Sequence, residues 1–91
     1  MTTEKLNRAK ELDEKREYYA SKLNEVAKMR QLAEGICDEN SYGEPIINVS
    51  IGTGPYSRAF LIKSHVMAML LEAEKFYMAK KLAVVDEFAK L

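Results

Sequence analysis

The chain has 91 residues, of which 14 are Lys or Arg and 14 are Asp or Glu, so its formal net charge is zero. Hydrophobic residues make up 47% and charged residues 31%, a balance that suits one folded domain and not a disordered chain. A zero balance argues against a general nucleic-acid binder, which needs surplus cations to displace counterions, and it removes a barrier to self-association.

The single cysteine, Cys37, rules out a disulfide within the chain and a zinc site built from several of its own thiolates. The first fifteen residues are charged throughout and lack an apolar core, so no secretory signal is expected. No run of about 18 uninterrupted apolar residues occurs, so no membrane span is expected and the cytoplasm is the expected compartment.

The first predicted element is a long helix from Thr3 to Glu34, reaching at most residue 36. Thr3 is placed to cap it, Glu4 suits the positive first turn, and Gly35 suits a left-handed stop. Leu12, Arg16, Tyr19, Leu23, Val26, Arg30 and Ala33 recur in steps of four and three, which is a heptad seam. Arg16 and Arg30 fit it by laying their methylenes along apolar surface. Met29, Leu32 and Ile36 widen the apolar face, while the thinner N-terminal half is expected to fray or project. Glu4 with Arg8 and Glu11 with Lys15 have the favourable order for ion pairs one turn apart.

A polar loop follows from Gly35 to Pro45. Ile46 to Ile51 then alternates, with Ile47, Val49 and Ile51 on one side and Asn48 and Ser50 on the other, which predicts a strand with one buried face. Gly52-Thr53-Gly54-Pro55 predicts a turn, and Tyr56 to Ile62 a second strand completing a hairpin. A two-stranded hairpin is marginal in water, so it should lie on the helices or join a partner's edge.

From Ser64, the expected N-cap, to Leu91 the chain predicts a second helix, uninterrupted by Gly or Pro. Val66, Leu70, Ala73, Tyr77, Val84, Phe88 and Leu91 form one apolar stripe. Met67, Leu71, Met78, Leu82 and Val85 form a second beside it. Glu72, Lys75, Asp86 and Lys90 leave only a narrow polar strip. An ordinary surface helix buries one stripe about 100° wide, so two stripes need two partners. The chain can supply one, and another copy or another protein is expected to supply the other.

Residues that carry chemistry are sparse. Gly52, Thr53, Gly54, Tyr56, Ser57 and Arg58 make the most site-like stretch. Its glycines let a ligand approach the backbone, successive amides can form an anion nest, and Ser57 and Arg58 add a hydroxyl and a cation. It lacks the Lys-Ser/Thr of a phosphate-binding loop and the third glycine of a dinucleotide fingerprint. A hairpin turn is the simpler use of its glycines. His65, the only histidine, has no nucleophile or carboxylate signalled beside it and is read as solvated. Cys37 has no second ligand at a diagnostic spacing and is read as a small apolar residue near a helix end. Tyr18 and Tyr19 point about 100° apart on a helix, so one sits in the seam and the other is an interface candidate. Tyr42 and Tyr56 flank the hairpin, where they suit stacking on a base or a peptide, or packing of the loop on the helices.

The order of a charged helix, the INVSIGTG strand, YSRAFLI and an apolar terminal helix resembles that of small phage-encoded accessory proteins. The resemblance spans the chain and is one of length and element order. It implies an accessory protein of infection, inhibitors of host defence included, acting by covering a partner's surface or by sequestering a small signal molecule.

The sequence therefore predicts a single α+β domain over residues 1–91, mainly helical. Two long antiparallel helices (3–36 and 64–91) carry an intervening β-hairpin (46–62) within an oligomeric helical assembly. The first functional expectation is a non-enzymatic homo-oligomer that blocks or tethers a partner protein through Tyr18, Met29, Arg30, Met67 and Met78. The alternative is sequestration of a small anion, such as a nucleotide signal, at a subunit junction near Gly52 to Arg58. No metal, cofactor, membrane or nucleic-acid partner is expected, and no catalytic pair is legible.

Overall fold

The computed structural model describes residues 2–91. Its elements are α1 (Thr3–Glu34), β1 (Ile46–Ser50), β2 (Arg58–Ile62) and α2 (Lys63–Ala89). The architecture is the expected one of two long helices and an antiparallel hairpin. Several boundaries differ, each for a local reason.

Thr2, not Thr3, caps α1, its hydroxyl accepting from the Lys5 amide at 3.2 Å. The helix ends at Glu34, two residues short of the longest range the sequence allows. Gly35 does not make a left-handed stop; its φ of −77° and ψ of −10° continue the right-handed turn. The exposed end is satisfied from elsewhere. Lys63 donates from Nζ to the carbonyls of Glu34 and Ile36, at 3.0 and 2.8 Å. Helix carbonyls left without intrahelical partners favour such a cation.

Ser64 does not cap α2. The helix begins at Lys63, Ile62 stands in the cap position, and no side chain bonds the first turn. The strand runs directly into the helix because the Lys63 amide still belongs to the hairpin, donating to the Pro45 carbonyl at 2.9 Å. In the preceding loop, Asn40 accepts on Oδ1 from the amides of Tyr42 and Glu44 at 2.9 and 3.0 Å. An Asn side chain that mimics a backbone turn in this way fixes a polar loop without regular structure.

β1 and β2 pair antiparallel with Ile47 opposite Leu61, Asn48 opposite Phe60 and Val49 opposite Ala59. Ile47, Val49 and Leu61 pack inward, as alternation requires. Ile51 does not join them. It lies past the end of β1 and is exposed.

The helices run antiparallel. Arg8 near the start of α1 bonds Glu87 near the end of α2 at 2.7 Å, and Arg30 late in α1 pairs with Glu74 in the first half of α2. The N-terminal half of α1 is thus held rather than projecting, with Leu12 almost wholly buried. Among intrahelical pairs, Arg8 bonds Glu11 and not Glu4, and Arg16 bonds Asp13 at 2.5 Å. The main core, Val26, Ala33, Ile47, Val66 and Leu70, sits where the hairpin meets the helix pair. Leu12 and Val84 form the buried contact towards the other end.

The result is a flat rod of 64 × 25 × 15 Å with a radius of gyration of 18.6 Å. A compact chain of this length would have a radius of about 12 Å. Its accessible surface is 7120 Å². A compact monomer of 10.4 kDa exposes about 5,400 Å², so this chain exposes about 1,700 Å² more.

Candidate functional site

A pair of side-by-side antiparallel helices has two broad sides. Residues displaced in the same rotational sense from the two buried seams share a side. On α2, Met67, Leu71, Met78, Leu82 and Val85 lie within about 60° of one another, to one side of the buried Val66–Leu70–Val84 seam. Met67 is partly covered by the core cluster. The other four are exposed, at 41% for Leu71, 43% for Met78, 60% for Leu82 and 43% for Val85. The second stripe is therefore real and has no partner within the described residues. Phe88 and Leu91, assigned by sequence to the covered stripe, are exposed too, because α1 offers little apolar surface opposite them.

On the same side, at the end of the rod where α1 begins and α2 ends, Leu12, Asp13, Arg16, Val84, Val85 and Phe88 line a shallow groove of about 290 Å³. Its floor is apolar. Its one pair of charges, Asp13 and Arg16, is bonded to itself.

The opposite side carries Tyr18, Met29 and Leu32 of α1 with Met69 and Phe76 of α2, all exposed. Tyr18 stacks edge-on against Tyr19, whose ring lies 6.4 Å from that of Tyr77 in the seam. Tyr19 is thus the seam residue and Tyr18 the outward one. Lys22 and Lys80 sit 5.5 Å over the Tyr18 and Phe76 rings, so each ring face is met by an ammonium group. The hydrogen bond that Lys22 donates to Glu25 raises its pKa above the usual lysine range. Hydrogen bonding to Glu11, with the nearby charge of Glu87, likewise raises that of Arg8. Both shifts strengthen groups already cationic at neutral pH, so neither creates a proton donor or acceptor.

The five residues expected to touch a partner do not form one patch. Tyr18 and Met29 lie on one side of the rod. Met67 and Met78 lie on the other. Arg30 is half-buried between the helices in its ion pair with Glu74. Sequence reasoning did not single out Phe76 and Phe60. Phe76 falls outside both stripes of α2, and Phe60 faces outward through the alternation of RAFLI.

Gly52 to Arg58 forms the exposed tip of the hairpin. Gly52 and Gly54 have φ of 66° and 137°, the left-handed backbone that a side chain resists. Nothing lies within 4 Å of a Cβ built on either, so the glycines serve the turn and not a close approach. The Ser57 hydroxyl is already spent on the Gly54 carbonyl at 2.7 Å, and the Ser57 carbonyl accepts from Ile51 at 2.7 Å. Tyr56 is 97% exposed. Thr53 is exposed, and Arg58 is exposed and makes no ion pair among the described residues. Tyr42, the other tyrosine near the hairpin, is also exposed rather than packed on the helices.

His65 stands exposed in the first turn of α2, and Cys37 is exposed just past α1. Among the described residues, no group of three His, Cys, Asp or Glu side chains is placed to hold a metal ion. Among those residues, too, no helix is long and apolar enough to cross a membrane. Comparison with protein-family models, with curated proteins and with solved structures finds no match to this chain.

Proposed function

We propose that the protein is a non-catalytic binding protein that assembles with copies of itself and presents its remaining surface to a partner protein, which it blocks or tethers. The observation that carries this reading is the exposed stripe on α2. Leu71, Met78, Leu82 and Val85 lie in one row along a single helix, where singly scattered exposed apolar residues would need no explanation. Self-assembly through one side leaves Tyr18, Met29 and Phe76 on the other, and aromatic and methionine side chains are enriched where proteins meet. The element order resembles that of small phage-encoded accessory proteins, and on that resemblance an inhibitor of host defence is the role we favour.

The test separates the two surfaces. The wild-type chain should retain one protein partner at fixed stoichiometry. A Tyr18→Ala, Met29→Ala double variant should lose that partner while keeping its mass in solution. Retention unaffected by the double variant would remove this side as the binding face.

One observation favours a second reading, in which the assembly holds a small anion such as a nucleotide. Arg58 is exposed, without an ion-pair partner among the described residues, beside a turn rich in glycine. A ligand present at 100 times its Kd would add about 2.7 kcal/mol to stability, a clear rise in Tm. Nucleotides that raise Tm in the wild type and not in Arg58→Ala would support it. An equal rise in both would take Arg58 out of any such site.

A further inference from the structure

Resting on the self-assembling reading above, we infer that a second copy of this chain covers the apolar stripe of α2, antiparallel and centred on Met78. Leu71, Met78 and Val85 are spaced by seven residues, two turns of helix, so they drift only about 20° at each step and form a seam nearly parallel to the axis. Leu71 and Val85 are equally distant from Met78. An antiparallel copy therefore brings Leu71 against the partner's Val85, Val85 against the partner's Leu71, and Met78 against itself. That is the self-complementary contact of a closed two-fold pair, in which each surface is its own mate.

Three further observations favour a second copy as the occupant. The chain exposes about 1,700 Å² beyond a compact monomer of its mass, and a stable protein interface takes about 800 Å² from each partner. Glu74, an acid beside the stripe, is already paired with Arg30, so closing this side does not strand its charge. Val85 also lines the groove bounded by Leu12, Phe88 and the Asp13–Arg16 pair, and the two-fold aims the partner's Leu71 at that groove. Its apolar floor is then filled, and its charges are neutralised within the chain.

The experiment uses the full chain with Cys37→Ser as background. Met78→Cys places one thiol at the axis, and mild oxidation should link two chains, since antiparallel packing brings the two backbones within disulfide reach. Met69→Cys, about 180° away on α2, should not link. Light scattering should find Leu82→Glu reduced to a single chain with its helical circular dichroism intact, and Phe60→Glu, on the outer side of the hairpin, unchanged in mass. An assembled wild type that links through Met69→Cys, or that dissociates with Phe60→Glu and not with Leu82→Glu, overturns this arrangement and leaves self-assembly standing. A wild type that is a single folded chain removes both. If Leu82→Glu fails to fold, the contrast between the two cysteine positions decides alone.

Discussion

At Gly52 the backbone is left-handed and at Gly35 it is not, and the two should respond oppositely to the same substitution. Gly52→Ala adds no clash but forces a side chain into a φ of 66°, which costs about 1–2 kcal/mol. Gly35→Ala meets only ordinary contacts at 3.6 and 3.8 Å and restricts the unfolded chain, so it should stabilise by about 0.4–1 kcal/mol. Thermal melts of the two variants, falling for the first and rising for the second, check both. The turn was legible because GTGP needs no distant partner. The end of α1 was not legible, because what satisfies its carbonyls is Lys63, which stands beyond the hairpin. Lys63→Ala should destabilise by about 1–2 kcal/mol, since it removes a charged donor from two carbonyls. A denaturant midpoint equal to that of the wild type would show that water replaces it without loss.

Among the elements, both helices were readable from periodicity, and the pairing of their charges was not. Arg8 has Glu4 and Glu11 within one turn and bonds Glu11, because that orientation also lets it reach Glu87 across the helix pair. Nothing local in the sequence ranks the two acids. The N-terminal half of α1 looked too polar to dock, yet one large side chain, Leu12, anchors it. Leu12→Ala should cost about 2–5 kcal/mol, as loss of a buried leucine does. Hydrogen exchange should show that loss concentrated in the first four turns of α1 and the last turns of α2, and a loss spread evenly over the hairpin would contradict this placement. The start of α2 was misread for a related reason. A strand that enters a helix without a turn needs no capping side chain, so Ser64 had no structural task to reveal.

On the scale of the whole molecule, one copy leaves the apolar row from Leu71 to Val85 uncovered. The seven side chains buried among the described residues are all apolar and are strung along a 64 Å rod, so the core is thin everywhere. Burying the stripe from Leu71 to Val85 against another copy would thicken that core where it is weakest, between the hairpin cluster and the Leu12–Val84 contact. The two stripes on α2 were visible in the sequence, because helical spacing alone separates them. Which one the chain covers, and that Tyr18 and Met29 lie across the rod from Met78, follows only from the antiparallel pairing. The most direct measurement is the mass of the folded, full-length chain by light scattering at micromolar concentration. The account predicts a defined multiple of 10.4 kDa. A cooperatively folded species at 10.4 kDa across that range would contradict it.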